Sequence, residues 1–135
     1  MGFLAPHAEK IYAAFRIMTG LLMLQHGTQK ILGWFGGVPE GAPAAIIYSS
    51  GTIELLGGLL VAIGLFAAPA AFIVSGTMAV AFFIGHLFNP DQNPTHSIVP
   101  LVNKGELAVA YCFSFLYIAA KGSGIWSIDA ARGAK

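Results

Sequence analysis

Apolar residues fall into four stretches, at about residues 11–32, 46–67, 70–88 and 105–121, separated by segments rich in glycine, proline and polar residues. About 20 apolar residues in a helix cross the hydrocarbon of a bilayer, because each residue adds ~1.5 Å. No stretch alternates polar and apolar residues with a period of two, so helices are predicted rather than strands. The pattern predicts an all-α, polytopic membrane protein, a four-transmembrane-helix bundle that forms a single domain over residues 1–135.

The connections between the stretches differ in length. Only Ala68-Pro69 separates the second and third stretches, and Pro69 suits the first turn of a new helix. Residues 33–45 are rich in glycine and proline, and residues 89–104 form the most polar segment. We therefore predict a tight hairpin at one end of the bundle and two longer loops at the other.

The composition supports a membrane protein, since 56% of the residues are hydrophobic and 10% are charged. Ordinary soluble domains contain about 25% charged residues. A net charge of +1 argues against a nucleic-acid partner, which would require a basic patch. Cys112 is the single cysteine, so the chain offers neither an intrachain disulfide nor a CxxC redox pair.

Lysine and arginine are distributed unevenly between the two sides of the predicted bundle. Four spans place both termini on one side, which carries Lys10, Arg16, Lys121, Arg132 and Lys135. The opposite side carries Lys30 and Lys104. Because positive charge favours the cytoplasmic side, we expect both termini in the cytoplasm, with the first span acting as an uncleaved insertion signal.

The first apolar stretch contains polar residues that hydrocarbon does not accommodate without compensation. At ~100° per residue, Arg16, His26 and Lys30 fall on one side of a helix, and Gln25 falls on the opposite side. A cation in hydrocarbon costs ~2.5–3.5 kcal/mol on insertion scales, so such residues usually face a partner or a cavity. This stripe is therefore the first candidate for a functional site.

Depth in the membrane divides the ionisable residues into an outer and an inner group. His26 and Lys30 lie in the outer third of the first span, and Glu54 lies roughly 12 Å below the outer end of the second. His86 and Glu106 stand near the outer ends of the third and fourth spans. We expect these five residues to converge in the outer half of the bundle.

Arg16 lies alone on the cytoplasmic side and requires a partner there. Asp129 in the C-terminal segment is the predicted partner of a structural ion pair, formed when the tail folds back beneath the bundle. Binding of Arg16 to a lipid phosphate is the alternative. Small residues near the polar groups predict close helix packing; they are Gly20, Gly27, Gly57, Gly58 and Gly64.

The outer group is compatible with several chemistries. A quinone site requires an apolar slot and polar groups for the carbonyls; candidate aromatic walls are Phe82, Phe83, Tyr111 and Phe115. Metal ligation by two histidines and two glutamates lacks a diagnostic spacing such as HExxH, and haem ligation by two histidines has no further sequence support. A plainer interpretation makes Lys30, His86 and Glu106 interfacial residues and His26–Glu54 a structural hydrogen bond.

Several motifs resemble the DoxX family of small four-helix membrane proteins. They are Arg16–Gly20, Gln25–Gly33, Thr52–Gly58, Ile63–Leu65, Gly85-His86, Lys104–Ala108 and Gly122–Asp129, in matching order and spacing. The hairpin departs from the pattern, because Ala67-Ala68 stand where relatives often carry Thr-Arg. The resemblance implies a bacterial or archaeal inner-membrane protein associated with thiosulfate:quinone oxidoreduction or with complexes that handle thiol or oxidative stress. Its motif positions are Arg16, His26, Lys30, Glu54, His86, Glu106 and Asp129.

These observations lead to the hypothesis of a redox-associated subunit that binds quinone, or a similar small redox partner, at the outer group. His26 and Glu54 would exchange protons as the catalytic pair, and Lys30, His86 and Glu106 would bind the ligand. Whether the chain is itself catalytic stays open, as do a redox enzyme complex or a homo-oligomer as partners besides the lipid bilayer. The alternatives are a non-catalytic scaffold or assembly factor and a small-solute or metal-binding membrane protein.

Overall fold

Helices account for the regular secondary structure of the described residues, 2–38 and 41–133, in this computed structural model. They are α1 (Ala8–Leu32), α2 (Ala44–Ile63), α3 (Ala67–Ala81), α4 (Pro100–Asn103), α5 (Glu106–Lys121) and α6 (Ile128–Ala131). A π-helical segment (Phe82–Leu87) continues α3, and short 3₁₀ turns cover Ala5–His7 and Trp34–Gly36. The all-α prediction is confirmed.

Two helices in the described ranges are both long enough and apolar enough to cross a membrane. They are Ala44–Ile63 and Ala67–Leu87, the second being α3 with its π-helical segment. α1 carries more polar residues, and α5 is shorter. The structure therefore supports membrane-type helices, while the number of four crossings stays a prediction.

The hairpin between α2 and α3 lies earlier in the chain than the sequence predicted. α2 ends at Ile63 because Gly64 adopts a left-handed conformation, with φ of 69°. α3 begins at Ala67, so Pro69 lies in the first turn, where a missing N–H leaves no hydrogen bond unmade. Residues 64–66 form the turn, and the predicted turn at Ala68-Pro69 is wrong because those residues are already helical.

Glycines bring α1 and α2 into close contact. A Cβ at Gly20 would overlap the backbone of Gly58 and Ala62, and a Cβ at Gly27 would overlap Leu55. Small residues allow such close approach between membrane helices, where van der Waals contact rather than water exclusion drives association. The close packing predicted from the glycines is therefore present between the first two helices.

Aromatic rings fill the space between α1 and α5. The ring of Tyr117 lies 5.8 Å from that of Tyr12 and 6.3 Å from that of Phe15, measured between centroids. α5 packs more extensively on α3, where the Ser75 hydroxyl donates to the Cys112 carbonyl at 2.8 Å. Phe115 is fully buried in the core, so α5 is held chiefly by α3 and by ring contacts.

Candidate functional site

The two ends of the bundle carry different polar groups, and we call them the tail end and the groove end. The tail end comprises the first turns of α1, the turn at residues 64–66 and the C-terminal segment 122–133. The groove end comprises the last turn of α1, the first turns of α2 and the π-helical segment.

A groove of about 700 Å³ runs between α2 and α3 at the groove end. On the α2 side it is lined by Pro43, Ile46, Ser49, Ser50 and Ile53. On the α3 side it is lined by Ile73, Gly76, Thr77, Val80, Ala81 and Gly85. Lys30 of α1 also reaches the wall. A cavity of this size with an apolar lining and a few polar groups is typical of small-molecule sites.

Lys30 and Glu54 form an ion pair beside this groove. The Lys30 Nζ lies 2.6 Å from the Glu54 Oε1 and 3.1 Å from the Ser50 hydroxyl oxygen. The Ser50 hydroxyl itself donates to the Ile46 carbonyl, so it accepts from the lysine. The Glu54 side chain is 2% exposed and that of Lys30 is 24% exposed, which places the carboxylate beneath the lysine.

Both members of the pair keep capacity for a further hydrogen bond. An ammonium group has three N–H donors, and the described residues accept from two of those on Lys30. The Glu54 Oε2 is buried and has no partner within residues 2–38 and 41–133. Buried polar atoms are nearly always hydrogen-bonded, so the Glu54 Oε2 is the exceptional atom of this pair, whereas the third N–H of the partly exposed Lys30 is available to a molecule in the groove.

His26 lies apart from this pair. Its half-buried ring contacts the edge of Tyr111, with 5.8 Å between centroids, on the side of α1 that faces α5. It also borders a hollow of about 150 Å³ with Gln25 and Gln29. No hydrogen bond between His26 and Glu54 occurs among the described residues, so the predicted pairing is wrong; Glu54 binds Lys30 instead.

His86 and Glu106 do not complete a common cluster. The His86 Nδ1 lies 3.2 Å from the Asn103 carbonyl oxygen, which ties the π-helical segment to α4. Glu106 is exposed in the first turn of α5. In the part of the chain that the structure describes, no three His, Cys, Asp or Glu side chains are grouped to hold a metal ion.

The aromatic residues predicted as walls also lie elsewhere. Phe82 and Phe83 contact each other at 5.5 Å between centroids, while Tyr111 and Phe115 are buried core residues of α5. The groove is lined by isoleucine, valine and small residues instead. The prediction failed because helical phase and the π-helical segment decide which residues face α2, and neither is visible in composition.

At the tail end, Arg16 is fully buried and binds backbone carbonyls. Its guanidinium donates to the carbonyls of Val61 and Ala62 in the last turn of α2, and to that of Trp126 at 2.8 Å. A cation is favourable there, because the last turn of a helix carries unsatisfied carbonyls and the negative end of the helix dipole.

Asp129 binds the N-terminus of the next helix, α3, as Arg16 binds the C-terminus of α2. Its carboxylate accepts from the backbone N–H groups of Phe66 at 3.1 Å and Ala67 at 3.3 Å, at the N-terminus of α3. It also accepts from the Ser123 hydroxyl. The described residues contain no direct Arg16–Asp129 ion pair. The tail does fold back as predicted, but each charge binds a helix end rather than the other charge.

The hydrogen bonds of Asp129 hold its pKa below the usual value. The Ser123 hydroxyl contributes most, and the Phe66 and Ala67 N–H groups add to it, since all three favour the ionised carboxylate. Partial burial works in the other direction and is outweighed. The carboxylate is therefore ionised in the folded protein over the ordinary pH range.

Two buried asparagines order the loop that follows the π-helical segment. Asn93 donates to the carbonyls of Leu87 and Ser97, and Asn103 also donates to the Ser97 carbonyl. Both side chains have no exposed surface. The sequence did not single them out as structural, because nothing local distinguishes them from the solvated polar residues expected in such a loop.

Comparison with known proteins gives a consistent family. The model of the DoxX family matches residues 11–87, which is more than half of the chain. An uncharacterized protein of Haemophilus influenzae is 34% identical over 134 residues, covering 96% of each chain. No solved structure shows significant similarity. As a member of this family of membrane proteins, the chain contacts the lipid bilayer through its apolar helices. The chain therefore belongs to the DoxX family.

Proposed function

We propose that this chain is a redox-associated membrane subunit that binds a quinone in the groove between α2 and α3, with Lys30 donating a hydrogen bond to one quinone carbonyl. The observation that supports the proposal is the third N–H of Lys30, which the described residues leave without an acceptor at the wall of an apolar cavity.

The charge of the site favours a neutral ligand. Lys30 and Glu54 neutralise each other at 2.6 Å, so an anion bound to the lysine would also meet the nearby carboxylate. A quinone carbonyl is uncharged and accepts a hydrogen bond, and its ring and hydrocarbon substituents match the isoleucine and valine lining. The pair thus provides a hydrogen-bond donor while carrying no net charge.

The proposed roles of the other residues follow from their positions. Glu54 orients Lys30, and its buried Oε2, which has no partner among the described residues, is assigned the exchange of protons with the ligand. His26, placed against Tyr111, is assigned no contact with the ligand. Electron transfer is assigned to a companion oxidoreductase in the same membrane, so the chain acts as a binding subunit rather than as a complete enzyme.

The proposal places the chain in the inner membrane of a bacterium or archaeon with α1, α2, α3 and α5 crossing the bilayer and both termini in the cytoplasm. The basic residues at or next to the tail end support this orientation; they include Lys10, Arg16, Lys121 and Arg132. Cysteines introduced at Gly36 and Ala131 in a Cys112→Ser background should react with an impermeant maleimide from opposite sides. Labelling from the same side would contradict this arrangement.

The decisive experiment removes both charges of the pair at once. The variant Lys30→Met/Glu54→Gln deletes the donor without leaving a lone buried carboxylate, and Lys10→Met, at an exposed lysine of the tail end, is the matched control. Quinone affinity of the purified protein should fall by about tenfold or more in the double variant, because a hydrogen bond to a charged donor is worth ~1.5–3 kcal/mol. Unchanged affinity in a folded double variant would refute the proposal.

A non-catalytic scaffold is the second candidate function. It is favoured by the same ion pair, because Lys30 and Glu54 join α1 to α2 whether or not a ligand is present. On this alternative, Lys30→Met and Glu54→Gln destabilise the bundle, while a companion enzyme that still assembles keeps its activity. Loss of quinone binding without loss of assembly would decide for the first proposal.

A further inference from the structure

Two glycines of the groove wall have no packing role in the protein itself. A Cβ added at Gly76 or at Gly85 would meet no atom within 4 Å. By contrast, Gly57 lies against Val74, and Gly20 and Gly27 lie against the backbone of α2. Glycine weakens a helix relative to alanine, so a helical glycine is normally explained by close contact. Gly76 and Gly85 make no such contact and instead border the open space of the groove.

The register of α2 and α3 shows where these glycines lie relative to Lys30. Gly57 stands level with Val74, and the two helices run in opposite directions. Ser50, which binds Lys30, is therefore level with about Ala81, close to Gly85. Gly76 lies roughly 7–8 Å further toward the tail end, at ~1.5 Å per residue, beside Ile73.

We infer that the groove holds a quinone lengthwise, with its ring beside Lys30, Ala81 and Gly85 and its hydrocarbon tail against Gly76, so that Gly76 selects for quinones that carry a long tail. This inference rests on the proposed function and specifies the ligand class of the same site. The groove extends over roughly 13 Å between Gly76 and Gly85 at ~1.5 Å per residue, which is longer than a single ring.

The charge pattern of the groove supports this direction. Lys30, Ser49 and Ser50 provide its polar groups on the α1 and α2 side, near the groove end. The deeper part, toward Ile53 and Ile73, offers apolar side chains, the bare backbone at Gly76 and Thr77, whose hydroxyl donates to the Ile73 carbonyl. A ligand with an acceptor oxygen at one end and hydrocarbon at the other therefore matches the groove best with its oxygen at Lys30, the one cation among the described residues of the lining.

The experiment compares two probes and two leucine variants. The probes are 2,3-dimethoxy-5-methyl-1,4-benzoquinone and the same ring with a decyl chain, titrated into purified full-length protein at one fixed detergent concentration. Gly76→Leu fills the deep part of the groove without displacing protein atoms near the Cβ, and Ala110→Leu places the same side chain on an exposed position of α5, outside the groove. Melting temperature is measured for each variant.

The expected result is a split between the probes. Gly76→Leu should bind the decyl quinone about tenfold more weakly and the ring alone with unchanged affinity, while Ala110→Leu should change neither, which would support the inference. Unchanged binding of the decyl quinone by a folded Gly76→Leu protein would overturn the inference and leave the proposed function intact. Equal losses for both probes would also overturn it, by placing the ring at Gly76.

Two further outcomes separate this inference from the proposed function. If the native protein binds neither probe, the proposed function fails and the inference falls with it. If the native protein retains phospholipid that the decyl quinone does not displace, and Gly76→Leu releases that lipid, the groove is a lipid site and the inference is overturned.

Discussion

The tail end and the groove end both bury charged side chains, but they use them differently. At the tail end, the terminal nitrogens of Arg16 bind carbonyls of α2 and of the C-terminal segment, and the carboxylate of Asp129 binds N–H groups of α3. At the groove end, Lys30 and Glu54 bind each other, the partly exposed Lys30 reaches the groove wall, and the buried Glu54 Oε2 has no partner among the described residues. The Arg16 Nε is likewise buried without a partner among the described residues, so the ends differ in their surroundings: the charges of the tail end bind helix ends, whereas those of the groove end lie beside a cavity that can hold a ligand.

Replacement of Arg16 should have the largest effect and tests the structural role of the tail end most directly. Arg16→Met leaves the carbonyls of Val61, Ala62 and Trp126 without their buried donor. We expect a loss of about 3–5 kcal/mol in the free energy of unfolding, measured by titrating SDS into a mild detergent.

Arg132→Met is the control for this loss of a cation. Arg132 is exposed and lies 5.8 Å from the centroid of the Phe66 ring, so its removal should cost no more than ~0.5–1 kcal/mol. Equal destabilisation by the two substitutions would show that the hydrogen bonds of Arg16 to the backbone carbonyls do not stabilise the tail end.

A pair of identical substitutions sharpens the comparison between the two ends. Gly64 has a φ of 69°, and a Cβ there would overlap Ser127, so Gly64→Ala should destabilise by about 1–3 kcal/mol. Gly85→Ala meets no atom within 4 Å and should leave stability unchanged or raise it by up to ~1 kcal/mol. The melting temperatures of both variants in the same detergent check the prediction. A Gly85→Ala protein that melts as early as Gly64→Ala would remove the distinction between a packed end and an open one.

The smallest effect is expected from pH acting on Asp129. Its pKa is lowered in the folded protein, chiefly by the Ser123 hydroxyl, relative to an unfolded value near ~3.9. The carboxylate therefore contributes its full stabilisation above that value, and this contribution is lost as the pH falls through the folded-state pKa. Melting temperature should decline below about pH 4, more steeply in the native protein than in Asp129→Asn. Parallel declines in the two proteins would assign the acid sensitivity to other groups.

The sequence was most informative where a single physical requirement determines the answer. Apolar length predicted the helices, and the glycines of α1 and α2 predicted their close contact. Burial of Arg16 also followed from its position within an apolar stretch, and the return of the tail followed from its need for a partner.

The sequence was least informative where the choice of partner depends on rotation and register. Depth alone did not separate His26, which faces Tyr111, from Lys30, which reaches Glu54 across the interface with α2. Backbone partners were also invisible, because any residue provides a carbonyl; the carbonyls that bind Arg16 depend on where α2 ends. A prediction that pairs charge only with charge will miss such contacts.

The bonds of Arg16 also impose an order on biosynthesis. Arg16 lies in α1, yet Trp126, whose carbonyl it binds, follows 110 residues later in the chain. While the intervening helices are being made, the guanidinium has only part of its final set of acceptors. The tail end therefore closes only after the segment that contains Trp126 has been made, and a chain that stops before this residue would keep a buried cation with an incomplete set of acceptors.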